Sequence, residues 1–114
     1  MNDLEEKNEL DTRYEVLKIA LQEQNLSDFR ENFLELHIYE QGQFYESLTE
    51  KERAQMYSYL SPKELADMFD SLEEDEDALK EYLEEMRPSY AAAMLSAMYT
   101  DNAVDLLNLL GKKD

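Results

Sequence analysis

Leu60-Ser61-Pro62-Lys63-Glu64-Leu65-Ala66-Asp67-Met68-Phe69-Asp70-Ser71-Leu72 is the stretch from which the fold of this 114-residue chain is read. Leu60 and Leu72 are large apolar residues twelve apart. Ala66 is a small residue six past the first, and Met68–Phe69 follow at eight and nine. Met68, Phe69 and Leu72 stand at i, i+1 and i+4, one face of an α-helix. Ser61 reads as an N-cap, Pro62 suits the first helical position, and Glu64 closes a capping-box pattern.

The same unit recurs in both directions. Large apolar residues fall at Leu36, Leu48, Leu60, Leu72, Met86, Met98 and Leu110, twelve apart except for fourteen between Leu72 and Met86. The small slot holds Gly42, Ala54, Ala66, Ala92 and Val104, and the apolar pairs are Phe44–Tyr45, Met56–Tyr57, Met68–Phe69, Met94–Leu95 and Leu106–Leu107. A unit this short holds roughly nine helical residues, about 13 Å, and a tight link. Such a helix is not stable alone and must lay its apolar face on its neighbours. The prediction is an all-α superhelical stack of short helices with no strand.

Ahead of the repeat, Asp3 to Gln24 reads as one longer helix with the stripe Leu10, Tyr14, Leu17 and Leu21. Residues 1–26 are expected to form an N-terminal helix docked on the stack, and 27–114 the repeat domain. Ser27 is the expected cap of the next helix, with Asp28 behind it. His37, the single histidine, reads as a capping or packing residue at a helix junction. Gly42 costs ~1 kcal/mol inside a helix, which a close helix approach would offset. Thr49-Glu50-Lys51-Glu52 is a second capping-box pattern. The acid run Glu73-Glu74-Asp75-Glu76-Asp77 is expected to be a longer link before Ala78. Proline breaks the chain at Arg87-Pro88-Ser89. The helix Tyr90 to Met98 is the least polar and is expected to be the most buried. Gly111 reads as a C-cap signal. The methionines on the stripe read as core, as do Tyr45, Tyr57 and Tyr82, while Tyr39, Tyr59 and Tyr99 lie off it.

Charge is the strongest compositional feature: 28 acids against 11 bases, net −17. Such a surface repels nucleic acid and anionic lipid heads and attracts cations or basic proteins. Solubility alone is the plainer meaning of the same charge. The chain has no cysteine, hence no disulfide or thiolate metal site. The start, Met1 to Glu6, is acidic and polar and does not read as a signal peptide. No run of ~18 apolar residues is present to cross a membrane. No Gly-rich phosphate loop, nucleophile–base pair or EF-hand pattern is legible, so an enzyme is the least supported class.

Asp101 and Asp105 are i and i+4 on the last helix and share a face. With Asn108, that face is expected to point away from an apolar side bearing Val104, Leu107 and Leu110. Like charges at this spacing repel unless a cation bridges them. Asp67 is expected to project outward from its own helix. Mg²⁺ keeps several waters, so one or two carboxylates per surface suffice. An acid at Asp101 is also favoured simply by the helix dipole.

Leu36-His37, the 60–67 stretch, Glu85-Met86 and Asp101-Asn102-Ala103-Val104-Asp105-Leu106-Leu107 together resemble the N-terminal cytosolic domain of MgtE-type magnesium channels. The resemblance spans about residues 27–110. It implies an armadillo-like, right-handed stack on the cytoplasmic side of the membrane, followed by a pair of CBS domains and a dimeric membrane pore. It further implies Mg²⁺ bound between the acidic face and the CBS domains, favouring the closed pore. Residue by residue, Asp101 and Asp105 match the family's interface acids, and Asp67 matches an acid on an earlier helix. Ile38 and Tyr39 after His37 depart from the family's Leu-His-Pro-acid pattern, and Gly42 interrupts it. The sequence stops at Asp114, about where the CBS region would begin. A second class of function stays open: an acidic interaction module that docks a basic protein.

Overall fold

The computed structural model describes residues 2–72 and 75–111, with side chains described over 9–72 and 75–108. Eight helices run in order among the described residues: α1 (Asn2–Gln22), α2 (Leu26–Glu35), α3 (Ile38–Glu46), α4 (Glu50–Tyr59), α5 (Pro62–Ser71), α6 (Glu76–Glu85), α7 (Pro88–Ala97) and α8 (Thr100–Gly111). No strand occurs among the described residues.

The twelve-residue period has a simple origin. Ten helical residues, one anchor and one cap make a unit, as in Ser61, α5 and Leu72. The anchors Leu36, Leu60, Leu72, Met86 and Met98 are C-caps in extended conformation. Each turns the chain out of the helix while its side chain packs inward: all but the half-buried Leu72 are buried, as is Leu48. Leu110 lies outside the described side chains. At His37, Thr49 and Ser61 the residue after the anchor caps the following helix. The Thr49–Glu52 and Ser61–Glu64 capping boxes both form, and His37 and Glu40 make a third at α3.

α3, α5 and α7 pack side by side as one row. α2 and α4 pack together, as do α6 and α8, and α1 lies on α2 and α4. Phe29 and Phe33 of α2 stack at 5.4 Å and meet Phe44 of α3 at 6.3 and 6.2 Å. A second aromatic group, Tyr45, Phe69 and Tyr82, meets edge to face. Met56, Met68 and Met94 fill the core completely, and Met86 and Met98 are buried.

Several expectations are corrected. α1 ends at Gln22, not Gln24. Gln24 at φ 57° ends it in a left-handed residue, with Asn25 N–H donating to Ala20 C=O and Gln24 N–H to Leu21 C=O. Asn25, not Ser27, caps α2 through its side chain and the Asp28 N–H. Ala20 is buried although it lies beside the stripe, while Ile19 is exposed. Asp75 caps α6 and Glu76 and Asp77 form its first turn, because acids suit the positive end of a helix dipole; Glu73 and Glu74 lie outside the described residues.

Of the small slots, Gly42 and Ala66 are buried, in the central row, but Ala54, Ala92 and Val104 are exposed. A Cβ on Gly42 would lie 3.1 Å from Leu72 Cδ2, which is the expected close approach. α7 is not the most buried helix: Ala91, Met94 and Leu95 face inward, but Ala92, Ala93, Ser96 and Ala97 are exposed. Its alanines serve helix propensity rather than burial. Tyr59 is half-buried against Phe29. Gly111 is the last residue of α8 rather than a residue beyond it.

Candidate metal-facing surface

α7 and α8 start differently from α2 to α6; Arg87 makes no side-chain capping bond to α7. Asn25, His37, Thr49, Ser61 and Asp75 each supply a capping side chain to the helix that follows them. Tyr99, which precedes α8, has a 75 % exposed ring and no acceptor that could reach back to its own backbone. The acceptor comes from α5 instead. The Asp70 carboxylate takes the Tyr99 N–H, 3.3 Å from each oxygen, and the Asn102 amide Nδ2 at 2.9 Å.

The buried side of α8 is Ala103 and Leu106; Val104 and Leu107 are about half exposed. This corrects the expected apolar side, because α6 and α7 cover a different strip of the helix from the one anticipated. Asp101 and Asp105 are both exposed. Neither has an ion pair or side-chain hydrogen bond among the described residues. Their positions put the two carboxylates on adjacent turns, with Cβ atoms about 5–6 Å apart. Asp67 is exposed on α5, three residues before Asp70.

Beside this surface a cleft of about 870 Å³ opens between α5, α6 and α8. Phe69, Leu79, Met98 and Leu106 give it an apolar floor, while Asp70 and Asp105 stand on its wall. Asp101 and Asp67 do not line it. No group of three or more His, Cys, Asp or Glu side chains that could hold a metal occurs among the described residues. The donor chemistry still suits Mg²⁺, a hard ion that takes carboxylate oxygens and retains water. Alone, this surface offers part of a shell.

The other charged clusters are internal ties. Arg53 donates to the Leu48 carbonyl at 2.7 Å and pairs with Glu85, and its guanidinium lies 4.9 Å over the Tyr82 ring. Tyr57 donates to Glu85 at 2.8 Å and hydrogen-bonds Tyr45. The hydrogen bonds that Arg53 donates to Glu85 raise the Arg53 pKa, and burial raises those of Tyr45 and Tyr57. These shifts keep Arg53 charged and Tyr45 and Tyr57 neutral, so these three groups are poised for no proton transfer. Arg30 grips Glu64 with two bonds of 2.7 and 2.8 Å and donates to the Tyr59 carbonyl. No helix among the described residues is long and apolar enough to cross a membrane.

Asp70 and Asn102 escaped the sequence reading. The one signal for them was negative: Tyr99 has no side-chain acceptor to cap a helix, which leaves its N–H open to an acceptor from elsewhere.

A stack of short helices, most of them ten residues long, with acids on its last helix that have no partner among the described residues, defines a helical-repeat domain. The chain belongs to the MgtE intracellular N domain family, whose model matches residues 36–114. It is 62% identical over 89 residues to the magnesium transporter MgtE of Enterococcus faecalis, covering 78% of this chain and 20% of that protein. It therefore spans about a fifth of that relative's length. A crystal structure of the soluble part of a magnesium transporter matches it with a TM-score of 0.86 at 63% identity, over 90% of this chain and 40% of the other. These relatives are transporters rather than enzymes.

Proposed function

We propose that this chain is the regulatory, magnesium-sensing domain of a magnesium transporter, working on the cytoplasmic side of the membrane. The repeat domain from residue 27 onward is the sensing stack, and the N-terminal helix α1 buttresses it. Asp101 and Asp105, with Asp67 from α5, supply carboxylates to Mg²⁺ held against adjoining CBS domains of the same transporter, a homodimer with a membrane pore. Nucleic acid is not a partner, because the net charge of −17 repels it. The ion favours the docked arrangement because it binds that arrangement better than the separated one. Docking in turn favours the closed pore. The observation that carries this reading is the pair of exposed carboxylates one turn apart on α8, neither with a partner among the described residues.

The test is a Mg²⁺ titration of ¹⁵N-labelled protein, alone and with a CBS-domain pair added. Alone, the chain offers half a site, and amide shifts at Asp67, Asp101 and Asp105 should saturate on the order of millimolar. With the CBS pair, the midpoint should fall. Silence at all three residues in both settings sinks the proposal.

The second reading is an acidic module that docks a basic protein. The cleft favours it, since an apolar floor beside carboxylates suits an apolar side chain flanked by Lys or Arg. Association weakened equally by any salt points to this reading; association that requires a divalent ion points to the sensor.

A further inference from the structure

We infer that Asp70 is the positioning residue of the α5–α8 acidic surface: a clamp that fixes where the ion-facing carboxylates stand, without being a ligand itself. The inference rests on the magnesium-sensing reading above.

Three observations carry it. First, both Asp70 oxygens are already engaged, by the Tyr99 N–H and the Asn102 amide. Its negative charge sits at the positive end of the α8 dipole, where it is favoured. Second, the residues it grips flank Asp101 in sequence. Tyr99 and Asn102 bracket the first turn of α8, so the clamp sets the pitch and rotation at which that turn begins. Asp105, one turn on, follows as part of the same rod. Third, Asp70 is three residues after Asp67 on α5, on neighbouring positions of one helix side. The same residue therefore ties the helix carrying Asp67 to the helix carrying Asp101 and Asp105.

α8 needs such a tie. It packs on α6 and α7 and leaves Val104 and Leu107 about half exposed. It has no capping side chain immediately before it; the first local backbone bond, from the Ala103 N–H to the Tyr99 carbonyl, leaves the Tyr99 N–H to Asp70. Mg²⁺ demands near-octahedral oxygen geometry, and ligands must be held within about 0.5 Å of their productive positions. Loss of a residue that orients ligands typically costs ten- to a hundredfold in metal affinity, to order of magnitude.

The experiment compares wild type, Asp70→Ala and Asp70→Asn of the 114-residue chain by Mg²⁺ titration with amide-shift readout. Residual dipolar couplings report the relative orientation of α5 and α8. Circular dichroism confirms that each variant is folded. Asp70→Ala should weaken the Mg²⁺ midpoint about tenfold and split the response, so that Asp67 no longer titrates with Asp101 and Asp105. Asp70→Asn keeps an amide oxygen able to accept from Tyr99 and should restore most of the affinity. A ligand role would instead make Asp70→Asn as damaging as Asp70→Ala, because the charge is lost in both, and that result overturns the clamp. So does an Asp70→Ala protein with wild-type affinity. A wild type silent to Mg²⁺ both alone and with the CBS pair added overturns the sensing reading instead; the clamp is then decided by the couplings, and an unchanged α5–α8 orientation in Asp70→Ala overturns it.

Discussion

Arg53 and Glu85 are the residues on which most polar contacts converge. Their side chains are 14% and 10% exposed, and the pair is closed in by Tyr57, Tyr82 and the Leu48 carbonyl. Removing one member of a buried pair strands the other charge. Glu85→Ala should therefore lower the unfolding free energy by about 3 kcal/mol, read from urea denaturation. Arg53→Met in the same chain should recover part of that loss, because no buried charge is then left unpaired. Arg30–Glu64 lies nearer the surface and shows itself through pH. Hydrogen bonds from Arg30, then from the Ser61 backbone, hold the Glu64 carboxyl down at about 2, against 4.5 for the free side chain. A depressed carboxyl stabilises the fold above its unfolded value and loses that contribution as pH falls. Stability should thus decline from about pH 4.5 toward pH 2, and Glu64→Gln should flatten this part of the profile. At neutral pH that substitution should cost about 1 kcal/mol, since the pair is partly in water.

At the level of the helix, what was legible in the sequence was whatever depends on neighbours within one turn. The Thr49 and Ser61 caps, the proline at the start of α5 and the Leu17–Leu21 and Met68–Phe69 stripes are local signals, and they form as read, whereas the stripe expected on α8 does not. What was not legible depends on which neighbour arrives from another repeat. Ala54 and Ala66 occupy the same slot in adjacent units, yet Ala54 faces water and Ala66 is buried, because α5 belongs to the central row. Asp101 and Asp105 were found because their spacing is helical. Asp70 was not, because its partners lie 29 and 32 residues away. The end of α1 gives a direct test of local geometry. Gln24 adopts φ 57° there, a conformation that disfavours any residue with a Cβ. Gln24→Gly should raise stability by about 0.5–1 kcal/mol, seen as a rise in Tm. Glycine at Gln22, inside the helix, should lower it instead.

Over the whole molecule, 28 acids share a body of 47 × 31 × 24 Å with 11 bases. At this size no acid is far from another, and the folded state carries self-repulsion that the expanded chain relieves. Raising NaCl from about 10 mM to 150 mM shortens the screening length from about 30 to 8 Å. Tm should rise over that range. MgCl2 matched for ionic strength should raise it further only if the ion is bound specifically, so the two salts separate screening from binding in one calorimetric series.

Ties between distant segments have a mechanical consequence. Tyr14 reaches the Glu40 carbonyl, Arg30 reaches Glu64, Gln55 the Leu21 carbonyl, Arg53 Glu85, Tyr90 the Leu60 carbonyl and Asn102 Asp70. Each bridges 26 to 34 residues, more than two units of the repeat. A pile of discs held only face to face can shed its end members one by one. Here the stitches overlap like shingles, so lifting any one layer tears its successors. Pulled from its two ends, this body should rupture in a single event rather than peel in a staircase of twelve-residue steps.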